Sequence, residues 1–214
     1  MGEHRPHSRG RANVRADDNR RRIAVEAARL ISELGLRDYH QAKLRAAERL
    51  GIHDERALPR NTEIEDALRE YQRLFGGQAR IDHLDALRRC AVEAMRFFHT
   101  FQPRLVGAVL EGTADEHSAV CLHLFSDDPD ALSHFLIDQN IPFEQIDRVL
   151  RWERDEPESF AAYRFQADDI PVDLTLLPLD ALRQAPLDRI DGKPMRRANV
   201  TGVQQLLGES ASDS

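Results

Sequence analysis

Apolar residues recur at helical spacing through the first hundred positions and in short, strand-like runs after them. Ile23, Ala27, Leu30, Ile31 and Leu34 fall on one helical stripe, and Gly35 follows as a terminator. A shorter helix is predicted over 38–50, with Ala42, Ala46 and Leu50 on its apolar side and Gly51 after it. Thr62-Glu63-Ile64-Glu65 has the form of a capping box. It precedes a face made by Ile64, Ala67, Leu68, Tyr71, Leu74 and Phe75, and Gly76-Gly77 closes that helix. A fourth helix is predicted over 82–100, with Leu84, Leu87, Ala91, Ala94, Met95 and Phe98 inward, and Pro103 prevents its continuation.

The pattern then changes. Residues 105–110 form a compact apolar run ending at Glu111-Gly112-Thr113, and 119–125 is a second strand. Asp128-Pro129 is expected to open a helix as N-cap and first residue, and Asn140 and Pro142 stop it. Three more strands are predicted over 146–152, 160–165 and 171–177, then a Pro-rich stretch with the turn Asp191-Gly192 and a last helix over 200–207. The expected fold class is α+β. A basic tail (1–22) is expected to be disordered, a helical region (23–102) follows, then a mixed-sheet domain (103–207), then a frayed tail (208–214).

Composition narrows the function classes. The chain has 214 residues, 41% of them hydrophobic, which is enough for a sizeable core. No apolar run has spanning length and no secretory leader is read, so a cytoplasmic location away from membranes is expected. Two cysteines, Cys90 and Cys121, make no disulfide scaffold. The net charge of −7 argues against a general nucleic-acid coater, although the arginines of 1–22 weakly suggest a nucleic-acid arm. The amphipathic helices need a partner for their stripes, so a homodimer through the helical region is expected.

Candidate chemistry centres on Gly112-Thr113, the run Ser118-Ala119-Val120-Cys121-Leu122-His123-Leu124-Phe125, and Asp173 in Ile170-Pro171-Val172-Asp173-Leu174. A strand ending in Gly-Thr, a second strand opening after Ser and a later strand carrying Asp resemble the nucleotidyltransferase fold of the polymerase-β superfamily. The resemblance implies that Gly112-Thr113 binds phosphate and that Asp173 is one of the carboxylates holding two Mg²⁺ ions for in-line phosphoryl transfer. The family's central Asp-x-Asp is missing. Ala119, Cys121, His123 and Phe125 share one face of the second strand, Val120, Leu122 and Leu124 the other, and none is a carboxylate. The active site is therefore expected to be degenerate.

The whole chain also resembles an uncharacterised bacterial family. The likeness is carried by 22–30, 65–75, Gly112-Thr113-Ala114-Asp115-Glu116-His117-Ser118 and Asp191-Gly192-Lys193-Pro194-Met195-Arg196-Arg197-Ala198. Some of its members go by the name UDP-N-acetylmuramate–alanine ligase. Such a ligase needs a Gly-Lys-Ser/Thr phosphate loop, and the one Gly-Lys here, Gly192-Lys193, is followed by Pro194.

The expected function is binding of a nucleotide, another phosphate-bearing ligand or a protein partner, without standard catalysis. The ligand residues are Gly112, Thr113, Asp115, His117, Lys193, Arg196 and Arg197. Cys121, His123 and Asp173 form a candidate site for Zn²⁺ or Mg²⁺, with Asp173 the candidate catalytic residue. Two alternatives stand beside this: an active nucleotidyltransferase with an atypical metal site, and a helical oligomerisation module without a ligand.

Overall fold

A computed structural model describes residues 8–36, 38–75, 77–152 and 156–212. The chain divides into two compact units, Met1–Gly77 and Gln78–Ser214. Its elements make an α+β protein: helices alone occupy the described part of the first unit, and all five strands lie in the second.

In the first unit, helix α1 (Ser8–Leu34) packs against α2 (Tyr39–Leu50) and α3 (Asn61–Phe75). Ile23, Ala24, Ala27 and Leu30 of α1 meet Ala42 and Ala46 of α2 and Ile64 of α3 in one core. Alanine at the contacts lets the helices approach closely, while Ile23, Leu30 and Ile64 supply most of the hydrophobic gain, about 1.5–3 kcal/mol for each buried side chain. Asp38 caps α2 by accepting from the His40 and Gln41 amides, and Gly51 ends it at φ +66°.

Helix α1 begins at Ser8, well before the expected start at Ile23, so the basic segment is helical from there on. The apolar stripe marks only the part of a helix that packs. Arginine and alanine are strong helix formers, and the packed turns serve as a nucleus from which the helix extends backward. Arg20 pairs with Asp17 one turn earlier (3.4 Å). Residues 1–7 of the expected tail lie outside the described residues.

In the second unit, α4 (Gly77–Phe97) precedes β1 (Arg104–Val106), α5 (Ala108–Glu111) and β2 (Val120–Phe125). Then come α6 (Ala131–Asp138), β3 (Glu144–Leu150), β4 (Glu158–Ala167), β5 (Ile170–Leu177) and α7 (Val200–Ser212). The sheet order is β1-β2-β5-β4-β3, with β2 and β5 parallel and the other neighbours antiparallel. Leu105, Leu122, Leu174 and Tyr163 share one face by register, and this face is buried against Leu87, Ala91 and Met95 of α4 and Leu132 and Leu136 of α6. The fourth helix therefore belongs to the sheet unit, and the division falls at Gly77 where the sequence suggested Pro103. Among the described residues no helix is long and apolar enough to cross a membrane.

Several local expectations shift. The run 105–110 is not one strand: β1 stops at Val106, Gly107 takes φ +74° and ψ −157°, and α5 follows. Helix α3 starts at Asn61, and Glu63 reaches back to the Arg60 amide (2.7 Å), so the box sits earlier than Thr62 suggested. Asp128 accepts from the Asp130 amide and Asp127 from the Leu179 amide, which leaves Asp130 as the residue preceding α6. Trp152 lies beyond the end of β3 and packs on Phe160 with ring centroids 5.3 Å apart. Helix α7 runs to Ser212, past the expected end at Leu207.

Candidate functional site

The second face of the sheet carries the polar residues, and the strand register sets their order. Cys121 on β2 lies opposite Asp173 on β5, which lies opposite Arg164 on β4, which lies opposite Glu144 on β3. Two residues along, Arg104, His123, Thr175 and Ala162 form the next row. Strand β5 reaches this register through the two-residue turn Asp168-Asp169, where Asp168 takes φ +51°, a conformation aspartate tolerates. The turn thereby places Arg164 beside Asp173.

Asp173 is 6% exposed, and its Oδ2 accepts from Arg148 Nη2 (2.7 Å) and Arg164 Nε (3.1 Å). Its Oδ1 is buried without a hydrogen-bond partner. Arg148 comes from β3, so three adjacent strands converge on one carboxylate. His123 is 2% exposed, and its Nδ1 is likewise buried without a partner. Burial, reinforced by the nearby Arg197 and Arg148 guanidiniums, takes the His123 pKa down to about 3, so the ring is neutral at neutral pH.

The segment after β5 closes the far end of this face. Phe125, Leu150, Leu177 and Ala181 cluster there. Arg197 stands over the Phe125 ring (5.6 Å to the centroid) and donates to the Ala181 and Leu182 carbonyls. Arg104 donates to the Gln102 and Pro103 carbonyls. Burial first, then Arg104, lowers the Arg197 pKa from its ordinary value. Residues 78–214 hold 14 Lys and Arg against 24 Asp and Glu, yet four of those arginines share this one face.

The sequence-derived residues divide. Cys121, His123, Asp173 and Arg197 belong to the polar face. Gly112-Thr113 does not end a strand: Gly112 closes α5 at φ +77°, and the Thr113 amide donates to Ala108. The Gly112 carbonyl accepts from Arg80 (2.6 Å) of α4, the helix that covers the opposite face. Asp115 builds its own loop, its carboxylate accepting from the His117 amide and the Ser118 hydroxyl. His117 is exposed beside Glu116 (3.5 Å). The Lys193 amide donates to Asp191 in the turn, and Arg196 pairs with Glu111 (2.8 Å). None of these contacts links Gly112, Thr113, Asp115, His117, Lys193 or Arg196 to Asp173.

Arg148 and Arg164 were not singled out from the sequence. Their signal was available in principle, since an Arg on each strand of a hairpin ahead of a strand bearing a lone Asp is the pattern such a triad requires.

The donor set does not fit the metal chemistry the resemblance implies. Cys121 stands where a neighbouring-strand carboxylate would face Asp173, and two guanidiniums hold Asp173 Oδ2. Among the described residues no group of three or more His, Cys, Asp or Glu is placed to hold a metal ion. In the first unit, a groove of about 810 Å³ along α1 is lined by Arg15, Arg21 and Arg22 but also by Asp18 and Glu26, so its charge is mixed. No protein-family model, curated protein or solved structure matches the chain.

Proposed function

We propose that the α+β unit binds a phosphate-bearing ligand on the polar face of its sheet and does not perform two-metal nucleotidyl transfer. The observation that carries this reading is the Arg148–Asp173–Arg164 triad. One carboxylate orients two guanidiniums from separate strands, and each keeps further N–H groups to offer a ligand. Arg104 and Arg197 add positive charge on the same face, which favours an anion although the unit as a whole is acidic. Asp173 is then a positioning residue, in contrast to the metal-holding role the resemblance implies.

Titration calorimetry of the full chain with pyrophosphate and with nucleoside triphosphates tests this. Arg164 has the more exposed side chain of the two, so Arg164→Ala leaves the fold intact and is expected to weaken binding about tenfold or more, the value of a charge-assisted hydrogen bond. Absence of anion binding, or unchanged affinity in both Arg164→Ala and Arg148→Ala, overturns the reading. Incubation with labelled nucleoside triphosphates and Mg²⁺ is expected to give no transfer, and robust transfer abolished by Asp173→Ala would refute the non-catalytic part.

A further inference from the structure

We infer that the same face has a second recognition element, a position for a ligand hydroxyl between His123 Nδ1 and Asp173 Oδ1. The ligand class is then a hydroxyl-bearing phosphoester. This rests on the phosphate reading above and goes beyond it.

Both atoms are buried polar groups without a partner, and such atoms are rare because each costs the desolvation that a hydrogen bond would otherwise offset. They lie on one face of adjacent parallel strands. Cys121 pairs with Asp173 and His123 with Thr175, so His123 and Asp173 are diagonal neighbours. Cys121, half-buried, and Thr175, buried, occupy the other two corners of this square of positions. Neighbouring strands lie about 4.8 Å apart and two residues along a parallel strand add about 6.6 Å, so the two positions are about 8 Å apart, which two side chains and one small bridging group can span.

The chemistry selects the bridge. A carboxylate oxygen only accepts, so an unprotonated phosphate oxygen cannot satisfy Oδ1. Neutral His123 can present Nδ1–H as a donor. A hydroxyl is the smallest ligand group that accepts from one and donates to the other. An ammonium group could donate to both atoms, but it would sit among Arg148, Arg164 and Arg197, whose charges oppose it. Arg104, opposite His123 on β1, adds a fourth positive charge, and Glu144, at the outer strand in the Asp173 row, lies beyond Arg164.

A matched pair of probes tests the inference. Glycerol 2-phosphate and isopropyl phosphate share a carbon skeleton and differ in two hydroxyls. Calorimetry on the full chain is expected to show glycerol 2-phosphate binding about tenfold or more tightly, the equivalent of one hydrogen bond to a charged group. In His123→Leu the ratio is expected to fall to about one, and in His123→Asn, which places an amide donor near the Nδ1 position, part of it is expected to return. If pyrophosphate binds and the two phosphoesters bind equally to the native chain, the hydroxyl position is refuted while the phosphate reading stands. If pyrophosphate does not bind either, both fall together. Should His123→Leu fail to fold, the native ratio and His123→Asn decide: a native ratio of about one, or a native ratio that His123→Asn leaves wholly unchanged, overturns the inference.

Discussion

His123 shows what a single residue costs and offers. Its pKa lies near 3 in the folded chain and near 6.5 when the chain is unfolded, so only the unfolded state takes up a proton as pH falls between those values. Stability associated with the neutral ring is complete above pH 6.5 and declines on acidification by about 1.4 kcal/mol per pH unit. Urea unfolding at pH 7 and pH 5 is expected to show that loss in the native chain and little of it in His123→Leu. Glu26 contributes little between pH 7 and pH 5, because the Arg29 hydrogen bond holds its carboxyl below its ordinary value. A parallel loss in His123→Leu would assign the acid sensitivity elsewhere. Cys121 and His123 could be selected from the sequence because strand alternation puts them on one face, and Asp173 because it stands where the resembled family has a carboxylate. Their partners could not, because which strand lies beside which follows from topology rather than from period.

The elements themselves were more legible where they pack than where they do not. Apolar stripes located the buried parts of α1 through α4, while the sequence of α1 before Ile23 offers no stripe to read. The run 105–110 misled because it is apolar throughout, and period cannot separate a strand from a buried helical turn in so short a stretch. The break is made by Gly107, whose φ +74° and ψ −157° suit glycine and few other residues. A Cβ there would come no closer than 3.9 Å to its nearest neighbour, Cys121, so space is not the constraint. Gly107→Ala is expected to destabilise the sheet unit by about 1–3 kcal/mol through backbone strain alone. Chemical denaturation measures it, and a change below about 0.5 kcal/mol would show that the backbone relaxes without penalty.

For the whole molecule, the division at Gly77 separates two cores that share none of their buried residues. Helix α4 supplies Leu84, Leu87, Ala91, Val92 and Met95 to the sheet core. A fragment of residues 78–214 is therefore expected to unfold cooperatively on heating, whereas 103–214, cut where the sequence change falls, is expected to lose that cooperativity. Circular dichroism melts of the two fragments distinguish the boundaries, and equal cooperativity would show that α4 is dispensable to the sheet. The sequence placed the boundary late because it marks a change of element type, and α4 is a helix that serves the sheet.

The central place of β5 has a consequence for the order in which the chain is made. Strand β5 is the last to be synthesised, yet it lies between β2 and β4. On the ribosome, β2 must wait with one edge open while everything up to Leu177 emerges. During that wait its segment Val120–Phe125, apolar but for His123 and free of proline, has the character of an aggregation-prone strand. Strands β3, β4 and β5 can pair locally through short connections and then join β2 as a preassembled block. A nascent chain halted before Asp173 carries Arg148 and Arg164 without the carboxylate that orients them, so the triad comes into being when β5 pairs with β4, before the block docks on β2.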